Sequence, residues 1–163
     1  DTSVRRRAAR AALASARYDL LNNMTRDPDS STRREVALAL GSADTLEQPG
    51  LATLEVLAND ADMSVRAAAY VARLFQGMPL ALPPELDTQL AAEAVRESED
   101  LSRLRDTART SASEGKRLAA ALALALVQVD VAQEVARSDP APAVRHRVAG
   151  ALDLSARNLP GPS

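Results

Sequence analysis

Along most of this chain apolar residues return every three or four positions, and almost nowhere do they alternate. That spacing puts them on one side of a helix and gives no strand, so an all-α fold is expected. Five Ala/Leu-rich stretches carry the pattern most strongly: Val4 to Ala16, Thr32 to Leu40, Val65 to Phe75, Arg117 to Val127 and Val144 to Ala156. More polar helices are predicted over Asp19 to Arg26, Leu51 to Asn59, Leu101 to Thr110 and Val129 to Arg137, and one more from Glu85 to about Glu97. The longest apolar run, Leu118 to Val127, is half of the roughly 20 residues that a membrane span needs. A run of that length predicts the most buried helix, with Leu118, Leu122 and Leu126 on one stripe and Ala121, Leu124 and Ala125 on other sides.

The helices are punctuated by a recurring phrase. It reads Asp27-Pro-Asp-Ser-Ser-Thr-Arg33, Asp60-Ala-Asp-Met-Ser-Val-Arg66 and Asp139-Pro-Ala-Pro-Ala-Val-Arg145, with a degenerate copy Ser111-Ala-Ser-Glu-Gly-Lys-Arg117 and a clipped one, Asp1-Thr-Ser-Val-Arg5. The residue before Pro avoids the α region, which stops one helix, and a Ser, Thr or Asp ahead of the Arg caps the next. The phrase returns at about thirty residues, the signature of a solenoid whose units bury one another. Between Arg66 and Arg117 the interval is too long by about twenty residues, one unit being interrupted there. The surplus is a helical insertion at about 77–98, beginning with the extended Gly77-Met-Pro-Leu-Ala-Leu-Pro-Pro84. Ser98, Glu99 and Asp100 read as the start of a further helix. The expected organisation is one domain over 1–157 and a disordered tail over 158–163. Because the series opens inside a motif at Asp1, the chain is expected to belong to a longer protein.

Composition narrows the chemistry. The chain has 163 residues, only 2% of them aromatic and none of them Trp or Cys, so its core is Ala, Leu and Val packed closely. Without cysteine there are no disulfides, thiolate nucleophiles or Cys-ligated metals. The net charge of -2 gives no field to draw nucleic acid or an anionic membrane. The Arg-rich opening leads into an amphipathic helix and not the apolar core of a signal peptide. A cytoplasmic protein is expected, and the preference for Arg and Ala fits a GC-rich bacterial source.

The phrase, extended to Asp-Pro-x-x-x-Val-Arg-x-x-Ala-x-x-Ala-Leu, resembles the HEAT repeat, particularly the short form also found in phycobilin-lyase-type proteins. Asp139-Pro140 with Val144-Arg145 and Ala151-Leu152 comes closest. Asp27-Pro28 with Arg33 and Ala39-Leu40 has Thr32 for the Val, and Asp60 with Val65-Arg66 lacks the Pro. The resemblance implies a right-handed α-α superhelix, a HEAT/ARM-like solenoid of four to five helix pairs. It also implies a structural ladder of the motif Asp and Arg between neighbouring units and a concave surface lined by the second helix of each pair.

Candidate chemistry is sparse. His146, the single histidine, lies between two arginines with no orienting carboxylate in sight, and it offers neither a catalytic nor a metal-binding set. Asp27, Asp60 and Asp139 recur once per unit, which marks them as structural. No catalytic residue, metal or cofactor is assigned, and the chain is not expected to be an enzyme. The N-terminal arginines (Arg5, Arg6, Arg7, Arg10, Arg17, Arg26, Arg33, Arg34) invite a phosphate-binding reading, and some HEAT-like proteins are alkylated-base DNA glycosylases. This chain lacks the aromatic platforms that hold exposed bases. Aligning the helices that precede the phrase instead puts Asn22, Glu55, Asp106 and Glu134 at one position and Asn59 four residues on from Glu55, on the same face. On the family's geometry this polar-to-acidic row lines the groove, while Arg6, Arg7, Arg34, His146 and Arg147 make the outer face basic. The expected function is a protein-interaction scaffold whose partner is a protein or peptide, of basic character, on Asn22, Glu55, Asn59, Asp106 and Glu134. The alternatives are a nucleic-acid binder of the glycosylase type and a lyase- or chaperone-type helper of a cofactor enzyme.

Overall fold

A computed structural model describes residues 1–98 and 101–157. Among them there are ten helices and no strand: α1 (Thr2–Ala14), α2 (Tyr18–Thr25), α3 (Ser30–Gly41), α4 (Gln48–Ala58), α5 (Met63–Phe75), α6 (Thr88–Ser98), α7 (Leu101–Thr110), α8 (Glu114–Leu124), α9 (Val129–Ser138) and α10 (Pro142–Arg157). All ten predicted helices are present. Those that carry the phrase begin two or three residues earlier than the apolar pattern alone places them, because capping groups and not apolar side chains fix a helix start. The side chains of Asp1, Asp29, Asp62 and Ser113, each four residues before the motif Arg, accept hydrogen bonds from amides of the first turn. The predicted tail and the predicted helix start at Glu99 and Asp100 lie outside the described residues.

The five helices that carry the motif arginines pack each on the next: α1 on α3, α3 on α5, α5 on α8 and α8 on α10. Close approach requires small side chains. A Cβ on Gly41 would lie 2.8 Å from the Cα of Ala72, so α3 and α5 touch backbone to backbone there. Residues 35–41 of α3, 67–72 of α5 and 117–124 of α8 are buried without a break. Such helices are enclosed on all sides. With eight of its eleven residues buried, α8 is the most buried helix as expected, narrowly ahead of α3 with eight of twelve and α5 with eight of thirteen. It ends at Leu124, however, so Leu126 leaves the predicted stripe and is only half-buried, while Leu118 and Leu122 are buried.

What encloses α3 and α5 differs from side to side. α4 packs on both, and so does the inserted α6, yet α4 and α6 do not pack on each other. The insertion thus covers the side of the motif helices that the sequence leaves as a basic outer face. Arg6 forks onto the buried Glu35, with its Nε donating at 2.6 Å, and its Nη2 also lies 3.6 Å from the carboxylate of Glu97 of α6. Arg34 donates to the same Glu97 carboxylate at 2.6 Å. Arg6 and Arg34 are ion-paired beneath α6, and the expected continuous basic face is broken. Arg7, His146 and Arg147 remain exposed.

Candidate functional site

The motif Arg and Asp form a ladder of one repeated geometry. Arg33 donates from Nε and Nη2 to the two carboxylate oxygens of Asp60 at 2.8 and 3.1 Å, and from Nη1 to the carbonyl of Asp27 at 2.7 Å. Arg117 repeats this with Asp139 at 2.9 and 3.2 Å and with the carbonyl of Ser111 at 2.9 Å. Each guanidinium thereby holds the end of the preceding helix in its own unit and the phrase of the next. The degenerate copy, weakest in sequence, makes the most buried rung, with Arg117 and Asp139 exposed by 7% and 6%. Burial works against the Asp139 carboxylate, but hydrogen bonds from Arg117 and the Ala141 amide outweigh it and hold its pKa below the usual range. Arg5 reaches the neighbouring Asp29 instead, at 3.0 Å.

Two motif arginines lack the carboxylate. Arg145 donates to the Asp139 carbonyl alone. Arg66 donates from Nη1 to the carbonyls of Asp60 and Ala61, at 2.8 and 3.2 Å, and makes no ion pair with a described residue. The phrase that follows it opens with Ser111 where Asp60 and Asp139 stand, so it offers no carboxylate. In place of a rung there is a cleft of about 210 Å3, walled by Arg66, Tyr70 and Arg73 of α5 and by Leu80, Glu85 and Leu86 of the loop before α6. The Tyr70 hydroxyl donates to the Leu80 carbonyl at 3.0 Å and holds that loop in place. Burial pushes the Tyr70 pKa up to about 12, with Arg147 opposing, so the phenol stays a donor.

A larger cleft of about 480 Å3 lies among residues 42–46, the end of α5, Arg103 and Thr107 of α7, and Lys116 of α8. Gly77, at φ +81°, lets the Lys116 stem lie close against the backbone there. The Gln76 amide donates to the carbonyls of Leu40, Gly41 and Ala43 and closes off the end of α3. Arg103 and Asp44 pair at 3.2 Å in the open. These groups supply no nucleophile with an adjacent base.

The predicted binding row is exposed at all five positions, Asn22, Glu55, Asn59, Asp106 and Glu134. It is not one strip. α2 packs on α4 and α7 on α9, but α4 and α7 are not packed in the same way, because the insertion falls between them. The row therefore divides into Asn22, Glu55 and Asn59 on one side and Asp106 and Glu134 on the other. Two members also have local duties. Asn59 lies just past α4 and donates to the Glu55 carbonyl at 3.0 Å, and Glu134 pairs with Arg109 at 2.8 Å. Leu20 and Val56, exposed by 42% and 63%, add apolar surface on α2 and α4.

The remaining candidates separate cleanly. His146 is exposed and makes no hydrogen bond to a described residue. Five of the eight N-terminal arginines, Arg5, Arg6, Arg17, Arg33 and Arg34, are engaged by carboxylates of the chain itself. Among the described residues there is no group of three or more His, Asp or Glu placed to hold a metal ion. No helix there is long and apolar enough to cross a membrane. Compared with protein-family models, curated proteins and solved structures, the chain matches none of them.

Proposed function

We propose that the chain is a HEAT-like α-solenoid that serves as a protein-interaction module, binding a basic segment of a partner protein across α2 and α4. The observation that carries this reading is the exposure of Asn22 and Glu55 together with Leu20 and Val56, on two helices packed side by side. An acidic group beside unpartnered apolar side chains suits an amphipathic segment carrying Arg or Lys. The pairing of the N-terminal arginines with internal carboxylates supports this over a grip on phosphate, since those charges are already satisfied. Electrostatic matching at such a rim governs association rate and selectivity more than affinity.

The test is affinity capture from the source proteome, followed by measured binding of the recovered partner to charge-reversed chains. Reversal at Glu55, Asp106 and Glu134 together is expected to weaken binding while leaving the helical circular-dichroism signal intact, with Glu55 giving the largest single effect. Normal binding by the triple variant, and loss on replacing Arg7 and Arg147, would move the working surface to the opposite face.

A further inference from the structure

From the interrupted ladder we infer a second binding site: the cleft beside Arg66 and Arg73 takes a carboxylate of an acidic peptide segment, which sits where the missing rung would be. Arg66, Tyr70 and Arg73 are spaced by four and three residues, so all three project from one face of α5. On α1, α3 and α8 the corresponding positions show what that face does where a further motif helix follows. Four residues after the motif Arg stand Ala9, Ala37 and Ala121, and seven residues after it stand Ala12, Leu40 and Leu124, every one of them buried. On α10, the last motif helix, they are the exposed Ala149 and the half-buried Leu152. Only α5 has Tyr at the first of these positions and Arg at the second. On α5 those positions carry a phenol and a second guanidinium, and this happens at the step where the following phrase opens with Ser111 in place of an Asp.

The two guanidiniums are free to bind. Arg66 uses Nη1 on two carbonyls, as Arg33 and Arg117 use theirs on one, and the Nε and Nη2 edge that grips Asp60 and Asp139 elsewhere has no acceptor among the described residues. Arg73 is half-buried and makes no hydrogen bond or ion pair to a described residue. Arg147, held by the carbonyl of Pro79 at 2.8 Å, adds a third positive charge near Tyr70. Glu85 is the one carboxylate in the wall. It is exposed and lies beyond ion-pair distance of both arginines. Leu80, Pro83 and Leu86 give the opposite wall apolar surface for the methylene of an Asp or Glu. A volume of about 210 Å3 holds one acidic side chain and part of its neighbour, and not a folded domain. The chain's own rungs supply the template: Asp139 offers both carboxylate oxygens to Arg117 from a Ser-Asp-Pro-Ala segment.

Ala58 at the end of α4 also lines the cleft, but Glu55, Asp106 and Glu134 do not, so the charge reversals proposed above leave its lining residues in place. Its test is a chemical-shift titration of the isotope-labelled chain. The probes are an acetylated, amidated Ser-Asp-Pro-Ala-Pro-Ala peptide, the same peptide with Asn for Asp, succinate and inorganic phosphate, each to about 10 mM, since a single small contact binds near millimolar. The Asp peptide is expected to give saturable shifts at Arg66, Tyr70, Arg73 and Leu80, at least about tenfold tighter than the Asn peptide. Arg73→Gln breaks no hydrogen bond or ion pair to a described residue and keeps most of the half-buried stem, so it should stay close to the wild-type melting temperature and lose that binding. Glu85→Gln should tighten it by removing a competing charge. No saturable shift with either carboxylate probe, equal binding of the Asp and Asn peptides, or unaltered binding by the folded Arg73→Gln chain overturns the inference. Saturation by phosphate alone overturns it in favour of a free-phosphate site.

Discussion

Single residues in this chain do two jobs at once, and Asp62 shows it best. It caps α5 by accepting from the Ser64 and Val65 amides. A hydrogen bond from the Ser64 hydroxyl, then the backbone bonds and the nearby Arg33, outweigh partial burial and hold its pKa below the usual carboxylate range. A depressed folded pKa means that the unfolded chain binds protons first as the pH drops. The stabilisation is therefore fully present above the ordinary Asp value, about 3.9, and is lost as the pH falls from there through the lower folded value. Asn caps a helix about as well as Asp. Asp62→Asn should accordingly change the melting temperature little at neutral pH and flatten its decline below about pH 4. A variant that follows the wild-type acid profile would show that Asp62 contributes nothing to acid lability.

At the scale of elements, burial decides which ion pairs matter. Arg117 and Asp139 lock α8 to the turn before α10 out of water, whereas Arg103 and Asp44, exposed by 69% and 90%, meet in solvent. Removing one partner of a buried pair strands the other, at a cost of about 3–5 kcal/mol, while an exposed pair is worth about 0–1 kcal/mol. Asp139→Ala should thus lower the denaturation midpoint strongly and Asp44→Ala hardly at all. Equal midpoints for the two variants would mean that Arg117 finds water or another acceptor. The sequence makes this ladder legible because its Asp and Arg recur at one offset, and helix caps and helix positions are legible for the same local reasons. The insertion is different. Its buried Ala91, Ala92, Ala94 and Val95 mark a helix with an apolar face, but no local signal says against which helices that face packs. Glu35 is hidden likewise, because its partner Arg6 arrives from 29 residues away. The Arg66 cleft leaves a trace in the sequence, the Arg at the position where Leu40 and Leu124 stand. Ser111, in place of an Asp, is a second trace, but the sequence alone does not show that Leu80, Glu85 and Leu86 come to wall the gap.

For the whole molecule, the insertion changes what a chain of stacked units would otherwise do. In a linear stack each unit touches only its neighbours, and stability is nearly a sum over adjacent contacts, so one end can loosen while the other holds. Here α6, reached only after α5, returns to α3 and to Arg6 of α1, and the loop before it binds Arg147 of α10 through the Pro79 carbonyl. Contacts such as Arg6 with Glu97 and Arg147 with Pro79 therefore join distant parts of the sequence directly, and α3, α5 and α8 form one buried spine. A weakness in the second half should reach the first. Leu122→Ala removes Cγ and both Cδ atoms from a side chain 7% exposed in that spine, a change that costs about 2–5 kcal/mol at buried leucines. Amide exchange should then quicken in α3 as well as in α8, by a similar factor, because both open in the same cooperative unfolding. Exchange that speeds up in α8, α9 and α10 while the α3 amides keep their wild-type protection would show the two halves unfolding independently, with α6 acting as a local cover and not as a tie.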